Sequence, residues 1–296
     1  MYDLNLKQLD KEIDRYLNEQ ADFREMFGFY RDIVSVVLRF REKVNVDFNL
    51  EEDEIKNLLR EGCHLLSKEK LHVDVAVFED LRDKITEAIS LKDNKTGEIL
   101  KALWSEPVAS GSTMIEALQE SGGFTPESLE QYFKDNNLME KCEESFDLVS
   151  FTILSALAPF YLDYARQAAE KTDFSLWSKG YCPVCAQKPL MAKIRKEDSA
   201  RILECRVCHT NWGFPRLECP FCDNKDHKKM RYFYIDEVKG RRVNVCEKCK
   251  NYLKASMIKE LGRNVILDLE NLATVQLDSV AQEEGYNPGK DFHPLS

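Results

Sequence analysis

At 296 residues, 43% of them hydrophobic, the chain is long enough for one large domain or two ordinary ones with a real core, which sets aside a disordered protein. The formal net charge of −10 is unevenly spread: residues 1–178 carry −15, residues 179–263 carry +10 and the remainder −5. Such asymmetry marks a boundary near residue 179 between parts with different tasks. The start, Met1-Tyr2-Asp3-Leu4-Asn5, is polar and lacks the apolar region of a secretory leader. The longest apolar run, Leu148 to Leu162, contains Pro159 and is shorter than the roughly 20 residues a bilayer-spanning helix needs.

Residues 1–175 read as mostly helical, because apolar residues recur at three- and four-residue spacing. Phe29, Tyr30, Ile33, Val34, Val37 and Leu38 form one core stripe. Ile55, Leu58, Leu59, Leu65 and Leu66 form a second, and Val77, Phe78, Leu81, Ile85 and Ile89 a third. Ser105 to Gly123 reads as loops around a short helix, and its Gly122-Gly123 lacks the flanking signals of a phosphate cradle. Thr125-Pro126 starts the next helix, with Thr125 as cap and Pro126 in the first turn. Glu143 to Glu170 reads as a largely buried helical segment that Pro159 should kink or break. Cys63 and Cys142 are expected as small buried residues, and Asp163 and Tyr164 as residues of a helix face.

Four Cys-x-x-Cys pairs then occupy one stretch: Cys182/Cys185, Cys205/Cys208, Cys219/Cys222 and Cys246/Cys249. Each such turn presents two thiolates to one point, and two turns complete a tetrahedral sulfur shell, so eight cysteines make two four-thiolate metal sites. Without a leader, this spacing argues for the reducing cytoplasm, where thiols stay free for metal. Between the pairs, Pro189–Ile194, Arg201–Glu204, Met230–Ile235 and Arg242–Val245 read as strands, giving two tandem units with a period of about 40 residues. The inserts of 19 residues between Cys185 and Cys205 and 23 between Cys222 and Cys246 are hairpin-sized, which favours sequential pairing. A cross-braced arrangement, first pair with third, stays open. Four thiolates suit zinc and iron alike. The residue after the second cysteine of each pair, Ala186, His209, Asp223 or Lys250, is expected at positive φ. His209 and His227 are expected as surface histidines rather than ligands.

Beyond the cysteines, Tyr252 to Glu260 reads as a short helix, Leu267 to Gln282 as another, and Gly285 to Ser296 as a loose tail. The fold class expected is α+β: a helical domain over 1–178, two rubredoxin-like or zinc-ribbon modules over 179–215 and 216–262, and a C-terminal helix and tail over 263–296. No Ser-His-Asp order, nucleotide fingerprint or His-Glu-x-x-His is present, so a non-enzyme is expected. Lys188, Lys193, Arg195, Lys196, Arg201, Arg206, Arg216, Lys228, Lys229, Arg231, Arg241 and Arg242, interleaved with Trp212, Phe214, Tyr232 and Phe233, leave a nucleic-acid-binding zinc ribbon as the alternative.

Cys182-Pro-Val-Cys185, Arg201-Ile-Leu-Glu-Cys205-x-x-Cys208, Thr210-Asn-Trp212, Arg216-x-x-Cys219-Pro-x-Cys222, Cys246-x-x-Cys249, Tyr252-Leu-Lys254, Asp268-Leu-x-x-Leu272-Ala-Thr274, Leu277-Asp278 and Gly285-Tyr286 follow one another in order. In this set, over roughly residues 181–287, the chain resembles the formate dehydrogenase accessory protein family, FdhE. It departs where Ala186 stands in place of the family's usual Gly and where Asp268-Leu-Glu270 replaces two adjacent acids. The resemblance implies a cytoplasmic assembly factor that binds the catalytic subunit of a molybdenum- or tungsten-containing formate dehydrogenase. It also implies two bound metal ions, iron before zinc. From the residues themselves, membrane insertion is not expected and nucleic acid is the less favoured partner.

Overall fold

A computed structural model describes residues 5–19, 21–106, 114–120, 124, 126–236 and 238–289. The Gly122-Gly123 pair and the Thr125 cap lie outside the described residues. The amino-terminal part is helical: α1 Leu6–Glu19, α2 Arg24–Phe40, α3 Glu52–Glu61, α4 Val75–Ser90, α5 Asn94–Trp104, α6 Met114–Glu120, α7 Pro126–Asp135, α8 Met139–Cys142 and α9 Phe146–Lys171. Local chemistry sets several of these ends. Glu51 and Glu54 form a reciprocal capping box at α3, Gly62 closes that helix in the left-handed conformation, and Asp74 accepts from the Val77 amide at 3.0 Å to start α4.

Helix α9 is the axis of this part. Val149, Ile153, Ala156, Leu157, Phe160, Tyr164, Ala165 and Ala168 are all buried, and α2 and α4 pack against it. Of the kink or break expected at Pro159, a break does not occur: α9 runs through it as 26 residues. Pro159 removes one amide donor, but it is itself buried, so packing along the helix outweighs one missing hydrogen bond. The helical segment Met139–Lys171 is long and apolar enough to cross a membrane by length and composition, and 61% of its apolar window is buried inside the protein.

Seven strands follow: β1 Pro189–Ile194, β2 Arg201–Cys205, β3 Asn211–Gly213, β4 Met230–Phe233, β5 Arg241–Cys246, β6 Asn251–Met257 and, at the end, β7 Asn287–Pro288. Between β6 and β7 lie α10 Ile258–Leu261, α11 Leu267–Ala273 and α12 Val275–Glu283. The sheet order is β3-β2-β1-β6-β5-β4, with β7 also on β6. Each module contributes an antiparallel set, and the two sets join through parallel pairing of β1 with β6, Ala192 opposite Ala255 and Ile194 opposite Met257.

Three expectations change here. Tyr252 to Met257 is strand rather than helix, with only the last turn, Ile258–Leu261, helical. Residues Asn251 to Ser256 are buried between two neighbouring strands, and that environment overrides local helix preference. The helix expected over Leu267–Gln282 is divided at Thr274, whose hydroxyl donates to the Glu270 carbonyl at 2.7 Å. The tail is anchored at its start, because Asn287 and Pro288 pair with Asn251 and Tyr252.

One apolar core crosses residue 178 without interruption. It runs from α2, α4 and α9 through Phe174 and Trp177 to Cys182, Leu203, Cys205 and Trp212. Backbone hydrogen bonds cross with it: the Leu65 and Leu66 amides donate to the carbonyls of Pro183 and Val184 at 2.9 and 3.0 Å. A second cluster packs Leu9, Ile13, Tyr16 and Phe27 against Leu269, Leu272 and Ala273 of α11. The helical part is therefore joined to the carboxy-terminal part through two separate clusters.

Candidate metal centres

The eight cysteines gather into two groups of four: Cys182, Cys185, Cys205 and Cys208, and Cys219, Cys222, Cys246 and Cys249. The grouping is sequential, each hairpin closing its own group. In the first, Sγ–Sγ separations are 3.4 Å for Cys182–Cys208 and 3.5 Å for both Cys185–Cys205 and Cys185–Cys208. In the second, Cys219–Cys249 and Cys222–Cys246 are both 3.7 Å apart. A disulfide needs about 2.05 Å. Sulfurs at about 2.3 Å from a common tetrahedral ion stand roughly 3.8 Å apart. The observed spacing fits a shared ion and excludes bridges between these thiols.

The turns are built for this. Amides of Val184, Val207 and Phe221 point at the sulfurs of Cys182, Cys205 and Cys219, each at 3.4 Å. The amides of Ala186, Asp223 and Lys250 return to the carbonyls of Cys182, Cys219 and Cys246 at 3.0, 3.1 and 2.8 Å. The residue after each second cysteine then turns left-handed, Ala186, His209, Asp223 and Lys250 lying at φ of 59°, 53°, 53° and 60°. Ala186 bears this with a Cβ, at a strain of about 1 kcal/mol.

The two groups differ in depth. In the first, Cys182, Cys205 and Cys208 are 0% exposed and all four cysteines belong to the main core. In the second, Cys222 and Cys249 are half-buried. Burial pushes the Cys182 and Cys185 thiols well above their ordinary range and pushes Cys249 up to about 11. Without a cation such thiols keep their protons, and four thiolates in such a place would need one to balance them.

The modules also touch through Gly180, where an added Cβ would overlap the Pro220 carbonyl inside the Cys219 turn. The obstacle is backbone and cannot rotate away. Gly180→Ala is expected to lower stability by about 1–3 kcal/mol in urea unfolding and to weaken the second site first, read as earlier loss of one metal equivalent.

His227 is exposed, as expected, but His209 is not. His209 is 6% exposed, and its Nδ1 lies 3.3 Å from Glu204 Oε1 and 3.4 Å from Asp268 Oδ2. The left-handed residue after Cys208 carries the ring to the end of β2, where α11 closes over it. Glu204 and His209 flank the same knuckle in sequence, a signal that sequence reasoning passed over; Asp268 had no local signal. Cys142 is buried, whereas Cys63 is only half-buried, at the αL end of α3. Asp163 accepts from the Val46 amide at 2.9 Å and Tyr164 donates to Glu69 at 2.8 Å, so both hold loops onto α9. Of the basic and aromatic residues singled out, Trp212, Phe214, Arg201, Arg241 and Arg242 are buried, while Tyr232 is 55% exposed.

Fold and site together define a helical protein carrying two four-cysteine centres on one sheet. Residues 181–216 match the family described as FdhE, central domain. The protein FdhE homolog of Aquifex aeolicus is 34% identical over 145 residues, 48% of this chain and 50% of that protein. The homolog of Haemophilus ducreyi is 24% identical over 252 residues, 78% of this chain and 80% of that one. The match thus spans about half the length of the first of these curated relatives and most of the second. The crystal structure of the FdhE protein from Pseudomonas aeruginosa superposes with a TM-score of 0.60 over 99% of this chain and 98% of that one, at 16% identity, and so shares the fold. The chain resembles the FdhE family in its central domain, its relatives and its fold.

Proposed function

We propose that this chain is a cytoplasmic accessory protein that binds the catalytic subunit of a formate dehydrogenase and assists its assembly, without catalysing a reaction itself. The observation that carries this is the pair of four-cysteine groups set in a fold shared with FdhE over nearly the whole chain. Cys182, Cys185, Cys205 and Cys208 would hold one ion and Cys219, Cys222, Cys246 and Cys249 the other. Iron is the favoured metal and zinc the alternative. Zinc would act as a structural cross-link and iron would add a one-electron centre. The first group is sealed in the core and suits a structural role, whereas the half-buried Cys222 and Cys249 bring the second group to the surface, where a partner can reach it.

Two measurements test this reading. Tagged chain expressed beside a formate dehydrogenase is expected to retain the catalytic subunit, and loss of the chain to lower formate dehydrogenase activity. Unchanged activity and no retained subunit would overturn the proposal. Metal analysis by mass, with a visible spectrum on anaerobically prepared protein, decides the ion; full zinc and no iron removes the electron-transfer part.

A second reading is favoured by one patch. Tyr232 and Tyr234 stand 55% and 49% exposed on the β4 side of the sheet beside the exposed Lys228, Lys229 and Arg231. A single-stranded nucleic acid could stack there, and its binding would fall steeply with salt. No shift of single-stranded DNA or RNA at low salt would end that reading.

A further inference from the structure

Beside the first cysteine group lies a donor set that the two four-thiolate sites do not use. Glu204 immediately precedes Cys205, His209 immediately follows Cys208, and Asp268 is the second residue of α11. His209 Nδ1 is 3.3 Å from Glu204 Oε1 and 3.4 Å from Asp268 Oδ2, and the three donor atoms all lie within 4.8 Å of one another. The side chains are 7%, 7% and 15% exposed for Glu204, His209 and Asp268.

An ion-paired imidazolium would explain this arrangement poorly. Charge-assisted N–H···O bonds run about 2.7–2.9 Å, and one Nδ1–H donates well to a single acceptor. Here one nitrogen stands at a longer distance from two carboxylates at once. Nitrogen and oxygen ligands about 2.1 Å from a shared tetrahedral ion are themselves about 3.4 Å apart, which is the separation observed. Two buried oxygens at this place have no hydrogen bond. They are Asp268 Oδ2, whose one neighbour of opposite character is His209 at 3.4 Å, and the Tyr30 hydroxyl, whose ring sits within the field of both carboxylates.

We propose that Glu204, His209 and Asp268 bind a third metal ion, a borderline divalent cation of the zinc class. Mixed imidazole and carboxylate donors suit that class. The part-exposed side chain of Asp268 gives an entry path. The ion would join α11 to the Cys205–Cys208 turn.

The test counts ions on the full chain. Protein equilibrated with excess Zn²⁺ and freed of unbound metal is analysed by mass for iron plus zinc. Three ions per chain are expected in the wild type and two in Asp268→Asn and in His209→Gln. Thiolate charge-transfer absorption after Co²⁺ loading should be equal in all three proteins, showing both cysteine sites intact. Should a variant lose that absorption, the wild-type count decides by itself: three ions support the site and two overturn it. Three ions in both variants would overturn it as well.

Discussion

Cys205→Ser is expected to release the metal of the first site and to cost more than about 4 kcal/mol of stability, in the range where losses of structural metal fall. Cys205 ends β2, is fully buried, and shares one core with α9 and Trp212. Losing a thiolate there leaves three buried sulfurs without a complete shell, and it loosens the knuckle whose partner turn, Pro183-Val184, is hydrogen-bonded to Leu65 and Leu66. The helical part should therefore soften with the metal. Cys249→Ser removes a ligand that is half-buried at the far side of the sheet, and about 0.5–3 kcal/mol is expected, confined to the second module. Thermal unfolding with metal analysis separates the two. A chelator should strip the second site first with little loss of helix, and the first only together with global unfolding. Equal losses for the two variants, or the reverse order under chelation, would refute the assignment of depth to function.

The features legible in the sequence are those that local geometry decides. A Cys-x-x-Cys turn determines within four residues where its sulfurs point and which residue turns left-handed, so the positive φ of Ala186, His209, Asp223 and Lys250 could be read locally; the sequential grouping was only favoured by the insert lengths, with a cross-braced one left open. The stripes of α2 and α4 were legible because each helix buries one face. Strand β6 was not. It is buried on both faces, so no alternation marks it, and Lys254 in its middle looks like a solvent-facing helical residue. Lys254 is in fact 2% exposed, with Nζ 2.5 Å from Asp278 and 2.9 Å from the Asn271 carbonyl. Those partners come from α12 and the end of α11, and no local pattern announces them. The same holds for His209: its burial depends on α11, whose Asp268 lies 59 residues downstream. The parallel β1–β6 pairing that makes one sheet of two repeats is likewise non-local, and a repeat period cannot show it.

Glu270 gives the second large effect, because it ties the first helix, the sheet and α11 to one carboxylate. It is 0% exposed. Arg241 donates to it from β5 through Nε and Nη2 at 2.8 and 2.9 Å, Ser256 from β6 at 2.8 Å, and Tyr16 from α1 at 2.5 Å. Burial alone would raise this carboxyl's pKa, but the Arg241 fork, with Tyr16 and Ser256, outweighs burial and holds it below the ordinary carboxylate range. Glu270→Gln keeps the shape and leaves the buried Arg241 without its main counter-charge; about 3–5 kcal/mol should be lost at neutral pH, nearer the lower figure because Glu19 stands 3.9 Å from Arg241. The sign with pH follows from the depressed pKa. The ionised carboxylate's contribution is complete above the unfolded value of about 4.3 and is lost as pH falls through the lower folded value. The difference between wild type and variant should hold from neutral pH to about pH 5 and shrink below about pH 4. Acid also displaces metal from thiolates, but it does so in both proteins, so their difference in denaturant midpoint isolates Glu270. A gap under about 1 kcal/mol at neutral pH, the scale of an ordinary hydrogen bond, would mean that this network is held by its neutral contacts and not by the charge.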